Sequence, residues 1–548
     1  MNKRTAPLVI ILAALIALGF TAYDNVYQKI GQNIDIFGRV YKEIVANYVD
    51  EVDPERFMRS GIDGMLGTLD PYTVYLSGRE EEDVDMLKYG LYGGVGISIG
   101  IRDSIITVLS VTEGYSAQKQ GVRTGDHIIA VDGKTVAGTD PDSARSRVRG
   151  EAGTTVRITV VREGVKEPIE FTLVREQIRV SNVAYSGFIR DGVGYIKLER
   201  FSSRAGEEVR QAVKEIRAKG EVKGIILDLR DNPGGLLESA VEIVSKFAPS
   251  GSTIVTTRGR KNSEQQRFTV QEEPAAADIP LAVLVNKNSA SASEIVAGAV
   301  QDLDRGVIVG ERSFGKGLVQ TVVALNHVAS MKITTARYYT PSGRSIQEID
   351  YLHRNKDGVF AVTPDSLKRE FRTARGRIVK ELGGISPDSV VPADQRSEYV
   401  TELLRKAMFF KFANRYTAEY PVMEGEVTVT PAVMKQFEQF LKEKRFEYVE
   451  PSEKKLSDLK EQMKRENYST ASLTALEALI TRVHGEKLNA FARSEEEIRI
   501  ELTEELNARY GGEKARYRLS LQNDAQAQSA AGLLLNKTAY RRLLSVPR

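Results

Sequence analysis

Three short stretches of this chain hold residue types that can break an amide by acyl transfer. The first is Asn288-Ser289-Ala290-Ser291-Ala292-Ser293-Glu294-Ile295, which follows the apolar run Leu281–Val285 and opens a helical pattern. A Ser at a helix N-terminus has two readings. Its hydroxyl can cap orphan N–H groups, or it can be a nucleophile whose oxyanion is held by the free N–H groups and positive dipole end there. Three serines at alternate positions are more than one cap needs. The second stretch is Ser313-Phe314-Gly315-Lys316-Gly317, after an apolar run at Val307–Val309. Burial disfavours a charged ammonium, so a Lys flanked by glycines can take the proton of a Ser hydroxyl; the plainer reading is a surface Lys. If the chain continues as a strand through Gln320–Val323, then Lys316, Leu318 and Gln320 share one face.

The third stretch is Asp228-Leu229-Arg230-Asp231-Asn232-Pro233-Gly234-Gly235. It ends the apolar run Gly224–Leu229, at the strand end where α/β folds place their sites. Paired glycines allow close backbone approach and exposed N–H donors; the alternative is an ordinary strand-to-helix turn. Gly94-x-Gly96 precedes a strand pattern instead of opening a helix, so it is not a dinucleotide fingerprint.

The elements that must position these stretches follow from periodicity. Residues 24–86 read as helical, with Ile34, Phe37, Val40, Tyr41, Ile44 and Val45 at helical spacing and a stop at Leu69–Tyr72. From 87 to 178 short strands take over: Ile97–Ile101, Ile105–Val111, His127–Val131 and Val156–Arg162, with Asp132-Gly133 as a hairpin turn. From 179 to 395 strands and helices alternate, which argues for an α/β core. After Pro392 long charged periodic segments run to Arg548 and read as a separate helical domain, 396–548, with solvated faces.

Composition narrows the classes. With 548 residues the chain holds roughly three or four domains. The net charge is +3, from 77 basic and 74 acidic residues, and gives no basic face of the kind nucleic-acid binding needs. There are no cysteines, which removes disulfides, thiolate ligands and a Cys nucleophile. The four histidines, His127, His327, His353 and His484, stand apart. Lys3 and Arg4 precede the uncharged, mostly apolar run Ala6–Tyr23, the pattern of a signal anchor or a removed signal peptide. Either would place the body outside the cytoplasm.

Four segments in order resemble the bacterial and chloroplast carboxyl-terminal processing peptidases: Gly93-Gly94-Val95-Gly96-Ile97, Leu229–Gly235, Ser289–Glu294 and Ser313–Gln320. Thr334–Arg344 is also like that family. The resemblance spans roughly residues 34 to 395. It implies an α/β peptidase core (ClpP/crotonase-like) with an inserted PDZ domain at 87–178 and a helical domain after it. It implies Ser291 as nucleophile and Lys316 as general base, 25 residues apart as in the family, with Gln320 orienting the Lys. The backbone N–H groups of Ala292 and of Gly234 or Gly235 would hold the oxyanion, and Glu294 would support the dyad. In the PDZ domain, Gly94, Val95, Gly96 and Ile97 would receive a substrate's C-terminal carboxylate while its tail adds as a strand, and Arg149 would couple that event to the site. No metal or cofactor is implied. Partners would be proteins with free C-termini, the membrane through the N-terminal segment, and a second copy or an adaptor.

Two rivals stand beside this serine endopeptidase reading. One is a catalytically inactive PDZ scaffold that binds peptides; the intact set Ser291, Lys316 and Gln320 argues against it. The other is an envelope protein whose helical domain carries the function. The charged insert Tyr351–Phe371 and the long helical part exceed the family's shortest pattern.

Overall fold

The computed structural model describes residues 6–546 except 79, 81–85, 87, 191, 261–263, 327–328, 355–359, 424 and 449, and only the backbone of 6–26 and 352–354. Lys3, Arg4, His327 and the His353 side chain therefore lie outside the described residues. The chain forms two compact units, Met1–Gly78 with Gln320–Thr334, and Arg79–Val319 with Thr335–Arg548.

In the first unit, α1 (Ala6–Asn47) and α2 (Pro54–Leu66) are followed by a strand, β1 (Val74–Ser77). The Asp53 carboxylate caps α2 by accepting the Arg56 N–H, and Pro54 stands at the first turn, where no intrahelical donor is needed. The Tyr41 ring stacks on Phe57 with centroids 5.8 Å apart. Ile34, Phe37 and Val40 keep their helical spacing but are exposed. The all-helical expectation for 24–86 missed β1, because its antiparallel partner, Ala329–Lys332, is remote in sequence. The run Ala6–Tyr23 is helical backbone within α1. Among the described residues no helix is long and apolar enough to cross a membrane.

The second unit contains a small antiparallel domain. After β2 (Leu91–Gly94) come β3 (Ile97–Arg102), β4 (Ile105–Val111), α3 (Ser116–Lys119), β5 (His127–Val131), β6 (Lys134–Thr135), α4 (Pro141–Val148), β7 (Thr155–Val161) and β8 (Ile169–Val174). The sheet order is β3-β4-β5-β7-β8, which leaves β3 at an edge, while β2 pairs with β9 (Glu176–Arg179). Asp132 and Gly133 both take positive φ, 49° and 74°, as a two-residue turn between β5 and β6 requires. Alternate residues of the strands, among them Ile99, Val108, Ile128 and Ile158, meet Ala144 and Val148 of α4 in one core.

The large sheet runs β10 (Val183–Arg190), β11 (Val193–Leu198), β12 (Gly224–Asp228), then Leu281–Val285, Val307–Gly310 and Ser389–Val390. Every neighbour is parallel except β10 on β11. One face packs on α5 (Ala205–Lys219), α6 (Leu237–Ser245) and α7 (Ala292–Asp302) through Ile225, Leu227, Val283 and Ile308. A parallel sheet must be covered on both faces, and the other face is covered by the end of the chain.

That end comprises α8 (Glu398–Arg405), α9 (Met408–Glu419), α10 (Pro431–Glu443), α11 (Pro451–Arg465), α12 (Thr470–Lys487), α13 (Glu495–Asn523), α14 (Ala525–Leu535) and α15 (Lys537–Leu543). Helices α8, α9, α10 and the first half of α13 share a core of Phe409, Phe412, Phe437, Phe440, Leu502 and Leu506. Helix α11 buries nothing and α12 only Leu476, so their charges are solvated faces as expected. The last helices behave differently. Ala527, Ala530, Ala531 and Leu534 of α14, with Leu521 and Tyr540, cover Tyr195, Ile226, Leu284 and Val309. The last helices of the stretch 396–548 thus also pack on the large sheet. Their small side chains let α14 lie close to the sheet.

Candidate active site

The strand Leu281–Val285 leads through the loop 286–291 into α7. Of the three serines there, two are committed to the core. The Ser289 hydroxyl donates to the Leu229 carbonyl at 2.8 Å, and that of Ser293 to the Asn232 carbonyl at 2.9 Å. Ser291 is half-buried at the N-terminus of α7, with φ 55° and ψ −114°. A non-glycine residue held there is strained, and its neighbours show what holds it. Its N–H donates to Glu294 Oε2 at 2.9 Å.

Glu294 is fully buried and joins two loops. Its Oε2 also accepts the Lys316 N–H at 2.9 Å, and its Oε1 accepts the Gly315 N–H at 2.7 Å and the Ser313 hydroxyl at 2.6 Å. One oxygen atom thus binds both the Ser291 and the Lys316 N–H. The other side of the pair is tied by Tyr338, whose hydroxyl lies 3.1 Å from the Ser291 carbonyl and also donates to the Lys316 carbonyl. Two residues 25 apart in sequence are thereby held as neighbours. Lys316 is half-buried and lies in a loop, since the strand begins only at Leu318. The expectation that Lys316, Leu318 and Gln320 share a strand face therefore fails: the Glu294 bonds hold 313–316 as a loop. Gln320 falls in the first unit, where its amide donates to Thr334 Oγ1 at 3.2 Å.

Burial pushes the Glu294 carboxyl up to about 7, against the four hydrogen bonds that favour its charge. The geometry matches the ionised form, since all four partners donate. Because the folded value lies above the unfolded one near 4.3, the folded state holds an extra proton between them. Glu294 thus contributes most to stability below the unfolded pKa, and that contribution declines as pH rises through about 7. Unfolding titrations of Glu294→Gln beside the wild type should show a decline that is larger in the wild type by about 3 kcal/mol. The amide would also turn an N–H toward donors, so Glu294→Gln is expected to lower kcat about 10–100-fold by displacing both loops.

The third stretch meets the first. The Asn232 carbonyl accepts the Ala290 N–H at 3.1 Å, and the Asp231 carboxylate accepts the side-chain amides of Asn286 and Asn288 at 3.0 and 2.8 Å. Gly234 takes φ +101°, and a Cβ there would lie 2.8 Å from Ser291 Cβ and 2.9 Å from the Ala292 nitrogen, so glycine is required. The Gly234 N–H donates to Asn232 Oδ1 at 2.9 Å. Ala292 is the first residue of α7, so its N–H has no intrahelical acceptor. The Gly234 turn thus lies against Ser291 and the N-terminus of α7.

In the small domain, Gly94 ends β2, Ile97 opens the edge strand β3, and Val95 and Gly96 link them. Gly96 has φ +83°, and a Cβ would lie 2.6 Å from that of Tyr115. Arg149 follows α4, stacked over Tyr92 at 4.7 Å with Nη2 3.7 Å from Met86 Sδ. His127 bonds Thr107 and His484 bonds Glu453, both away from Ser291. Sequence reasoning missed Tyr338 and gave Asn232 no task. Tyr338 stood in the motif Thr334–Arg344, but nothing there marked its partners.

Family models match four parts of the chain: "Activating protease CtpB N-terminal domain" at 20–79, a PDZ domain at 93–173, peptidase family S41 at 192–365, and "Probable PDZ-protease, C-terminal helical domain" at 399–534. The carboxy-terminal-processing protease of Bartonella bacilliformis is 38% identical over 344 residues, 62% of this chain and 79% of that protein. That of Synechocystis sp. is 40% identical over 299 residues, 54% and 69% of the two chains. The carboxy-terminal processing protease CtpB of Bacillus subtilis is 33% identical over 318 residues, 58% and 66%.

Proposed function

This chain belongs to the carboxy-terminal processing proteases of peptidase family S41, and on that premise we propose that it is a serine endopeptidase that cuts proteins near their C-termini with a Ser291–Lys316 dyad. The observation that carries the dyad is the shared Glu294 oxygen that binds the N–H of both residues.

In this reading the Ser291 hydroxyl attacks the scissile carbonyl and neutral Lys316 takes its proton. The N–H of Ala292 and that of Gly235 hold the oxyanion; Gly234 is the weaker choice because its N–H already serves Asn232. The lysine returns the proton to the leaving amine, and water releases the acyl group by the same route. The substrate tail pairs with the open edge of β3, its carboxylate on the 94–97 loop, and Arg149 links that event to the core through Tyr92 and Met86. The core is of the ClpP/crotonase-like kind. The segment 6–23 holds the body on the outer side of the inner membrane or is removed on export. A second copy or an adaptor is a further partner.

The test uses the chain, its Ser291→Ala variant and an unstructured protein ending in small apolar residues, with intact masses followed over time. Loss of C-terminal fragments with the wild type alone supports the reading. Cleavage by both refutes Ser291, and stoichiometric tail binding without cleavage by either favours the inactive scaffold.

Tyr338→Phe leaves the Ser291 and Lys316 carbonyls without this donor. It should cost about 1–3 kcal/mol in chemical unfolding and lower kcat about tenfold with KM little changed, because the dyad and not the tail site is loosened.

A further inference from the structure

The turn 230–235 is held from outside the peptidase core. Arg230 directs its whole guanidinium at acceptors. Nε and Nη2 bind Asp228, Nη1 and Nη2 bind Asp524 at 3.0 and 2.6 Å, and Nη1 binds Gln526 Oε1 at 2.9 Å. Asp524 and Gln526 lie 294 and 296 residues further along, at the junction of α13 and α14. The Lys197 ammonium donates to the Arg230 carbonyl at 2.6 Å, and Tyr195 donates to Asp228 at 2.6 Å. Burial alone would raise the Asp228 carboxyl, but Arg230 and Lys197 outweigh it and hold it well below the usual range.

A buried ion pair is weak evidence for stability, because desolvation offsets the Coulomb gain; its best-supported use is to specify one geometry. Here the geometry is that of the turn beside Ser291. Arg230 stands two residues before Asn232, whose carbonyl accepts Ala290 N–H and Ser293 Oγ. The Arg230–Asp524 pair also borders a cleft of about 880 Å³ that reaches Gly234 and Met86, so it is not sealed filler.

We propose that Asp524 and Gln526 are positioning residues for peptide cleavage: by gripping Arg230 they hold the turn 230–235 in register with Ser291. The C-terminal helices would then complete the oxyanion site as well as cover the sheet. The inference rests on the peptidase reading above and on the turn's N–H groups as oxyanion donors.

The test compares Asp524→Asn and Asp524→Ala in the full chain, at a temperature where circular dichroism shows both folded. Asp524 also caps α14 by accepting the Ala527 N–H at 2.9 Å, a task Asn performs equally well. Positioning through Arg230 predicts that both variants lose kcat about 10–100-fold with KM within about twofold, while the melting temperature falls chiefly in Asp524→Ala. A capping role alone predicts wild-type kcat in Asp524→Asn, and that result overturns the proposal. Failure of the wild type to cleave would instead sink the peptidase reading.

Discussion

Ser291→Ala is expected to reduce kcat by about 10⁴–10⁶-fold, and Lys316→Met by a similar factor. The alanine has no nucleophilic oxygen, and the methionine has no proton acceptor. Because the two groups act in one step, the double variant should be about as slow as either single one, since effects of a catalytic unit are grossly non-additive. Lys316→Arg should be no better, because a guanidinium does not deprotonate in a protein. Affinity for a substrate tail should persist in all of them, because the 94–97 loop is built from the backbone of another domain. Single-turnover cleavage beside titration of peptide binding reads both quantities. Additive losses, or a Lys316→Met variant within tenfold of wild type, would show that some other group takes the Ser291 proton.

A chain ending at Asp394 is expected not to fold, so this deletion cannot separate the helical part from the activity. It would uncover Val193, Tyr195, Ile226, Ala282, Leu284, Val307 and Val309, all fully or nearly buried against the last helices. At about 1.5–3 kcal/mol for each large apolar side chain, the loss matches or exceeds the roughly 5–15 kcal/mol by which a domain is stable. Replacing 451–487 by a short Gly/Ser linker should behave differently. That hairpin buries only Leu476, so the shortened chain should stay soluble with a melting transition close to wild type. Soluble, cooperatively unfolding protein ending at Asp394 would contradict this account, and so would collapse of the hairpin deletion.

Much of the site was legible because it is local chemistry. Ser289–Glu294 sits at a strand-to-helix junction that apolar periodicity alone locates, and the Gly234-Gly235 pair marks a turn that only glycine permits beside Ser291. The inserted domain was legible from alternation and from Asp132-Gly133, whose residue types suit the positive φ both adopt. Glu294 could be named as supporting, but not as the atom joining two loops, since its partners at 313–316 depend on how two strand ends are brought side by side.

What the sequence by itself determined is therefore residue type and local geometry: a serine on a helix N-terminus, a lysine between two glycines, a glycine pair on a tight turn, and strands of the right period. What only the tertiary structure decided is every long-range acceptor. Glu294 binds Lys316, Tyr338 ties two carbonyls, β1 finds Ala329–Lys332, and Arg230 finds Asp524. The physical reason is that a helical period reads the same whether its apolar stripe faces sister helices, as in the first half of α13, or a sheet, as in the uncharged α14. Burial at the second sheet face, which no local pattern records, selects between them.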